Sequence, residues 1–221
     1  MSERRSLSYL LPAQIEERSF EIIGEELGSH DFDRQTELVV KRVIHASADF
    51  DFAQTLRFSA CAVPQGIEAL RAGATVVTDT SMAAAGINKR VLGSFGGAVR
   101  TFIADDDVAA EARERGVTRS AVSMERAARL GGPLVLAIGN APTALVRVAE
   151  LLEDGIMQPP ALVIGVPVGF VNVVESKELI MRTCDERGVE SIVARGRKGG
   201  STIAAAIVNA LLYLASGNRR D

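Results

Sequence analysis

Short apolar runs alternate with amphipathic segments along most of this chain, and this alternation limits the folds open to it. The runs are TLRFS, ATVVTDT, AVRTFIA, LVLAIGN, ALVIGVP and SIVARG, and helical patterns such as PQGIEALRAG and PTALVRVAELLEDG lie between them. Strands that alternate with helices form mainly parallel sheets with helices on both faces. The segments at 134–138 and 161–166 are apolar throughout, which is typical of central strands covered on both sides. The pattern therefore predicts an α/β fold.

Two helices are predicted before this alternation begins. AQIEERSFEIIGEELG has apolar residues at near-helical spacing and ends at Gly28, and a second helix is expected from about Asp33 to Ala48. The apolar segment at 203–215 contains Asn209 and is shorter than the roughly 20 residues of a membrane span, so it predicts a core helix. Because no repeat or long linker interrupts the chain, we expect one α/β domain over residues 1–221 with an N-terminal helical pair.

Composition and charge narrow the possible partners. The net charge is −3 and no Lys/Arg run stands out, so nucleic acid is not an expected partner. Tryptophan is absent and aromatic residues make up 5% of the chain, which leaves no stacking surface for single strands. Cys61 and Cys184 stand far apart, as expected of reduced thiols in a cytoplasmic protein. No convincing signal peptide or membrane segment is present, so we expect no membrane association.

The segments that follow the predicted strands are unusual. Ligands of open α/β sheets bind at the carboxyl ends of the strands, and the segments there read TDTSMAAAG, GNAPTA, GVPVGF and RGRKGGS. They combine glycines, which let main chain approach a ligand closely, with helix-start signals such as Pro142, Thr143 and Ser201. Any one of them is explained equally well as a tight turn between strand and helix. Together they predict a site for a large, polar, multiply anionic ligand.

Several cofactor motifs are missing from the sequence. GRKGGST lacks the order and spacing of a phosphate loop, and no G-x-G-x-x-G opens a helix after a strand. No His/Cys cluster has metal-ligand spacing, and no G-x-S-x-G segment is present. The sequence therefore predicts chemistry without a metal, nucleotide or redox cofactor.

His45 is the residue best suited to proton transfer. One side of the second predicted helix carries four residues at helical spacing: Leu38, Arg42, His45 and Asp49. A cation then stands one turn before the imidazole and a carboxylate one turn after it, which suits a proton donor. The alternative is that His45 is a structural residue at the border of an apolar stripe and that Asp49 and Asp51 only cap the helix end.

Taken together, the motifs resemble the precorrin-8X methylmutases, or precorrin isomerases, of cobalamin biosynthesis. The matching stretches cover about residues 17–213 and read RSFEII, VVKRVIHASADFDFA, TDTSMAAAGINKRVL, GVTRSA, GNAPTAL, GVPVGFVNVVESKE and GRKGGSTIAAAIVNALLY. The form HASADFDFA, with GINKR and FGG, is most similar to the cobalt-precorrin-8 methylmutases. The metal-free enzymes of the aerobic route are the alternative.

The resemblance implies an isomerase that moves a methyl group from C-11 to C-12 of a corrinoid macrocycle. The product is cobyrinic acid or, without cobalt, hydrogenobyrinic acid. This sigmatropic rearrangement needs no electron donor and no external methyl carrier, so no cofactor is expected. The family's histidine falls on His45, which would protonate the macrocycle. The resemblance further implies a homodimer with its active site at the subunit interface, where Arg119 comes from the partner subunit and Ser19 contacts the substrate.

The substrate implied by the resemblance is a polyanion with several acetate and propionate arms. Two strand-end loops are expected to supply cations to these arms: Arg195, Arg197 and Lys198 in one, Lys89 and Arg90 in the other. N–H groups that follow Gly139 and Gly199 are expected to hold further arms, and Met82, Val168 and Phe170 to support the flat ring. The full set of expected substrate contacts is Ser19, Thr80, Met82, Lys89, Gly139, Asn140, Gly169, Phe170, Arg195, Lys198, Gly199 and Ser201.

Two other classes of function stay open at the level of sequence. A carrier that binds a corrinoid intermediate without chemistry would need the same binding motifs, and it would have no activity to lose on His45→Ala. A nucleotide-dependent enzyme is not excluded by an α/β fold alone, although the missing glycine fingerprint disfavours it.

Overall fold

The computed structural model describes residues 12–217, with side chains from residue 14 onward, and this part forms eleven helices and six strands. The helices are α1 (Pro12–Leu27), α2 (Arg34–Ser47), α3 (Phe52–Thr55), α4 (Ala62–Arg71), α5 (Ser81–Gly86), α6 (Lys89–Ser94), α7 (Asp106–Arg115), α8 (Arg119–Ala127), α9 (Pro142–Glu153), α10 (Val173–Arg187) and α11 (Ser201–Ser216). The strands are β1 (Leu56–Phe58), β2 (Thr75–Thr78), β3 (Ala98–Arg100), β4 (Leu134–Ile138), β5 (Leu162–Gly165) and β6 (Ser191–Ala194). The single-domain expectation for the whole of 1–221 remains a prediction.

The six described strands form one sheet in the order β1-β6-β5-β4-β2-β3. Neighbouring strands run parallel except at one edge, where β1 pairs antiparallel with β6 and Leu56 lies opposite Ala194. The predicted α/β class with a mainly parallel sheet is confirmed. The strands β4 and β5 lie inside the sheet and are fully buried, as their unbroken apolar sequences predicted.

The sheet separates two apolar clusters because successive side chains of a strand point to opposite faces. In β4, Val135 and Ala137 pack into the cluster beneath α2, α4 and α11, whereas Leu136 and Ile138 pack into the cluster beneath α8, α9 and α10. Helices therefore cover both faces of the sheet, as predicted. Each fully buried aliphatic side chain in the two clusters contributes about 1.5–3 kcal/mol to folding.

The core helix predicted at 203–215 is α11, which packs against α2, α4 and α5. Its side chains Ile207, Val208, Leu211 and Leu212 are all inaccessible to solvent. Within residues 12–217, no helix combines the length and apolar character needed to cross a membrane.

The helical pair at the N-terminus is confirmed, but α2 ends earlier than its stripe of polar residues suggested. Asp33 caps α2 by accepting hydrogen bonds from N–H groups of the first turn. At the other end, Ala48 takes a left-handed conformation with φ 53°, and its N–H closes the last turn. The prediction that Asp49 continues the helical stripe of His45 is wrong, because the chain has already turned away.

The part of the chain that holds TDTSMAAAG, Lys89 and Arg90 was expected as a strand-end loop and instead forms the two short helices α5 and α6. Thr80 accepts a hydrogen bond from the N–H of Ala83 and starts α5. Asn88 accepts one from the N–H of Val91 and starts α6. The AVRTFIA run is also shorter as a strand than expected, since β3 ends at Arg100.

Candidate active site

The connections of the sheet change direction between two neighbouring strands. After β2 the chain crosses to β3 on one side, and after β4 it crosses to β5 on the other. In open α/β sheets, the crevice outside the carboxyl ends of two such strands is the usual place for a ligand. The segments at 79–80 and 139–141, which follow β2 and β4, meet in this crevice.

Asp79 holds these two segments together. Its buried carboxylate accepts hydrogen bonds from the N–H groups of Gly139, Asn140 and Ala141, with N···O distances of 2.9, 2.8 and 2.7 Å. Burial raises the pKa of the Asp79 carboxyl, although the three N–H groups act in the opposite direction. The N–H groups after Gly139 that were expected to hold substrate arms are therefore not free in this structure, and their role toward substrate stays a prediction.

Asp79 is the main residue of this crevice that the sequence did not reveal. The signal was a carboxylate directly after the strand TVVT, at the start of a segment that ligands usually approach. Its partners lie about sixty residues away and are main-chain groups, so no side-chain motif points to them.

The start of α11 packs tightly against the ends of β2 and β4. The hydroxyls of Thr80 and Ser201 lie 2.8 Å apart. A Cβ added to Gly139 would lie 2.7 Å from the Cα of Ser201, closer than two such atoms approach in real proteins. Gly139 is therefore required for contact between main chains, which is a structural reason for a glycine that was expected to face substrate.

Gly199 serves the same purpose at the end of β5. A Cβ at this position would lie 2.1 Å from the carbonyl oxygen of Val166, and the N–H of Gly200 donates to that same oxygen. The prediction that the N–H group after Gly199 is free for a substrate arm is wrong. The RGRKGGS loop instead binds the neighbouring GVPVGF loop through its main chain.

A second contact joins these two loops and leaves an apolar surface exposed. The N–H of Gly169 donates to the carbonyl of Arg197 at 3.2 Å, and the Arg197 guanidinium lies 5.6 Å from the ring centroid of Phe170. Phe170 is 83% exposed and Val168 48% exposed. Met82, in the first turn of α5, is 69% exposed. These side chains are exposed, and their expected role in supporting a flat ring stays a prediction.

The cations of the RGRKGGS loop diverge. Lys198 binds Asp49 and Asp51 beyond the end of α2, with both N···O distances at 2.6 Å. These carboxylates raise the pKa of Lys198, and Lys198 lowers the pKa of Asp49. Arg195 lines a different cavity, beside Arg57 at the β1 edge of the sheet. The prediction of one shared cation cluster is therefore wrong, because Lys198 binds Asp49 and Asp51 whereas Arg195 faces the separate cavity beside Arg57.

Lys89 and Arg90 do not lie in a strand-end loop, and this prediction is also wrong. They open α6, and the N–H of the preceding Asn88 donates to Asn209 of α11 at 2.8 Å. Asn209 is eight residues beyond Ser201, which is about 12 Å along the helix axis. Lys89 therefore lies well below the edge of the sheet at which the other candidate residues meet.

His45 lies in the last turn of α2 with its side chain exposed. Its ring centroid is 5.3 Å from that of Phe20 in α1. Arg42, one turn earlier, forms an ion pair with Glu16 of α1. Ser19 precedes Phe20, and its hydroxyl donates to the carbonyl of Ile15 in its own helix. The structure thus brings α1 and its ERSF segment to the histidine.

An open groove lies between α2, α5 and α11, and the two α2 residues that line it come just before and just after His45 in the sequence. Its volume is about 290 Å³, and its walls include Arg42, Ala46, Met82, Thr202 and Tyr213. Within residues 12–217, no three His, Cys, Asp or Glu side chains are grouped closely enough to hold a metal ion.

Arg119 lies on the other side of the sheet from His45. It is the exposed first residue of α8, and its guanidinium donates to the carbonyl of Ile103 at 3.4 Å. The helix α8 belongs to the cluster that packs with α9, whereas α2 belongs to the cluster that packs with α11. Within one chain, the two residues expected to be catalytic are not brought together.

Comparison with known proteins settles the family. Residues 14–214 match the family profile described as precorrin-8X methylmutase. The chain belongs to the precorrin-8X methylmutase family. It is therefore a methyl-shifting isomerase of cobalamin biosynthesis, and the resemblance seen in its sequence is confirmed.

Relatives with two different names resemble this methylmutase about equally. A cobalt-precorrin-8 methylmutase of Priestia megaterium is 44% identical over 204 residues, covering 92% of this chain and 88% of its own. A precorrin-8X methylmutase of Pseudomonas aeruginosa is 42% identical over 207 residues, covering 93% and 97%. The crystal structure of a precorrin-8X methyl mutase from Thermus thermophilus has a TM-score of 0.82 at 40% identity, covering 92% of this chain and 98% of its own.

Proposed function

We propose that this methylmutase moves the methyl group from C-11 to C-12 of cobalt-precorrin-8, with His45 as the proton donor. The observation that carries the proposal is the exposed imidazole in the last turn of α2, which packs at a tilt against Phe20, on the helix whose Arg42 and Ala46 line an open groove. A structural histidine at this border would be expected to pack into the core. An exposed ring with one packed side is instead free to reach a ligand.

Proton donation to the macrocycle would lower the barrier to migration of the methyl group. A positioned general acid is typically worth about 10²–10⁴-fold in rate. The remaining acceleration would come from binding the macrocycle in a shape close to the transition state. The exposed apolar side chains Met82, Val168 and Phe170 support this role, since a flat ring needs apolar surface.

We propose a second copy of this chain as the partner that completes the site. The groove lined by Arg42 and Ala46 is open, and its volume of about 290 Å³ lies at the lower limit of the ~300–1,000 Å³ typical of pockets that enclose a ligand. Arg119 lies on the opposite face of the sheet, where it would be presented to a partner subunit. In the homodimer that the family resemblance implies, Arg119 of one subunit would complete the site that holds His45 of the other.

We retain Ser19, Thr80, Asn140, Gly169 and Ser201 as proposed substrate contacts around this groove and crevice. Lys198 remains a candidate only if a substrate carboxylate replaces Asp49 or Asp51 as its partner. We also propose a cytoplasmic location, which the unpaired thiols of Cys61 and Cys184 support.

The test is the turnover of cobalt-precorrin-8 and of metal-free precorrin-8, followed by visible absorbance under anaerobic conditions. We expect conversion of the cobalt form by the wild type and a loss of about 10²–10⁴-fold in kcat for His45→Ala. His30→Ala, which changes the other histidine of the chain, is the matched control and should retain full activity.

Three results would change the proposal. A preference for the metal-free substrate would move the protein to the aerobic route with the same chemistry. Binding of either substrate without conversion would identify a carrier. Full activity in His45→Ala would remove the proton-donor role.

A further inference from the structure

Lys177 is a buried cation beneath the RGRKGGS loop. It lies in the second turn of α10 and is 1% exposed, which places it among the largest fully buried side chains of the described residues. Its ammonium donates to the carbonyl oxygens of Gly196 at 2.8 Å and of Lys198 at 2.9 Å. Burial lowers the pKa of Lys177 to about 8.

The choice of lysine at this position is costly for folding. Its acceptors are two main-chain carbonyls rather than a carboxylate, so the charge is buried without an anion to compensate it. An apolar side chain of similar length would fill the same space without that penalty. A residue that lowers the stability of the fold, at a position where a less destabilising residue would fit, is a candidate for a functional role.

The ammonium completes the binding of a whole loop. The carbonyls of residues 196–198 all accept hydrogen bonds from outside the loop, two from Lys177 and one from the N–H of Gly169. The side chain of Lys198 then reaches Asp49 and Asp51, just beyond the end of α2. Lys177 is thus connected to the end of the helix that carries His45.

We infer that Lys177 is a positioning residue of the active site, which fixes the loop 195–200 and, through Lys198, the end of α2. This inference rests on the proposed function of His45. Lys177 touches no substrate in this arrangement, because it binds the loop from its inner side. Its effect on the reaction passes through the main chain of the loop.

The experiment compares Lys177→Met with the wild type in three measurements. Amide hydrogen exchange at 196–201 should become at least about 10-fold faster, because two carbonyl contacts are lost. The value of kcat/KM should fall by about 10–100-fold, as expected when a catalytic group is displaced by about 1 Å. The melting temperature at pH 7 should stay the same or rise, since a buried charge has been removed.

Two further variants make the comparison specific. Arg182→Met removes an exposed cation from the same helix and should change none of the three values. Lys177→Gln keeps a donor without the charge and should recover part of kcat/KM and part of the slow exchange. The Lys177→Gln variant also tests the inference if Lys177→Met does not fold.

The measurements on these variants can overturn the role of Lys177 in two ways. A lower melting temperature with unchanged exchange at 196–201 would mean that Lys177 only packs the core, and the inference would be overturned. Unchanged kcat/KM despite faster exchange would overturn its role in the reaction. If the wild type itself converts no corrinoid, the proposed function fails, and the exchange measurement alone then decides whether Lys177 holds the loop.

Discussion

The ring of Phe20 lies 5.3 Å from the imidazole of His45, centroid to centroid, with the two planes inclined by 38°. The two residues come from different helices, and the Arg42 guanidinium lies 4.6 Å from the centroid of the same phenylalanine ring. Arg42 also lies 5.1 Å from the ring centroid of Tyr213 in α11. The orientation of the histidine therefore depends on three helices that meet at this point.

Replacing Phe20 by leucine should reduce kcat by about 2–10-fold while leaving the protein folded. An aromatic pair is worth about 0.5–1.5 kcal/mol beyond its buried area, and that contribution to fixing the imidazole would be lost. Phe32→Leu is the matched control, because Phe32 makes a similar contact with His30 at 5.1 Å. Steady-state kinetics of both variants make the comparison, and an equal loss in the two would argue against a specific role for Phe20.

Mixing two inactive variants should restore activity if the site is shared between subunits. His45→Ala and Arg119→Ala are each expected to be nearly inactive as homodimers. After subunit exchange, half of the dimers are mixed, and each of these holds one intact site, so about a quarter of wild-type activity should return. A mixture of His45→Ala with His45→Gln is the control, since every site stays defective. Restoration no greater than in that control would show that both residues serve the same subunit's site.

Asp79→Asn should destabilise the protein by about 1–3 kcal/mol. The carboxylate accepts three N–H donors with two oxygens, and an amide can offer only one oxygen, so at least one buried donor loses its partner. Equilibrium denaturation in urea at pH 7 measures the change. Asp105→Asn is the control, because Asp105 precedes α7 without a side-chain cap hydrogen bond. If the two variants were equally stable, the three hydrogen bonds to Asp79 would contribute nothing net.

The stability of the wild type should rise relative to that of Lys177→Met between about pH 8 and 10.5. In the folded protein the pKa of Lys177 is about 8, below its ordinary value of 10.5, so the unfolded chain binds more protons in this window. Stability therefore increases with pH there, by up to about 3 kcal/mol. The measurement is the free energy of unfolding of both proteins across this range. A constant difference between them would contradict a buried, charged Lys177 at neutral pH.

The sequence predicted well those features that depend on neighbouring residues. The strand β4 could be recognised from five consecutive apolar residues, and α2 from its apolar spacing. The short helices α5 and α6 were missed because six residues are too few to display a helical period.

The predictions that proved wrong share one cause, which is pairing between residues that are far apart in the sequence. Lys198 and Asp49 are 149 residues apart in the chain, and nothing near either one indicates that they bind each other. The sequence placed Lys198 in the right loop but left its charge unpaired. The same holds for the N–H groups after Gly139, whose acceptor Asp79 lies sixty residues earlier. Local sequence thus predicted where polar groups gather, but not which of them bind one another.

The carbonyls of residues 196–198 already accept hydrogen bonds, so this loop is ordered before any ligand binds. This order affects the affinity for a ligand. Ordering a loop reduces its conformational entropy by an amount equivalent to about 1–2 kcal/mol per residue. In this protein, that entropy is lost when the chain folds rather than when a ligand arrives. A corrinoid that binds at this edge would meet a wall already in its final arrangement, so more of its contact energy would appear as affinity.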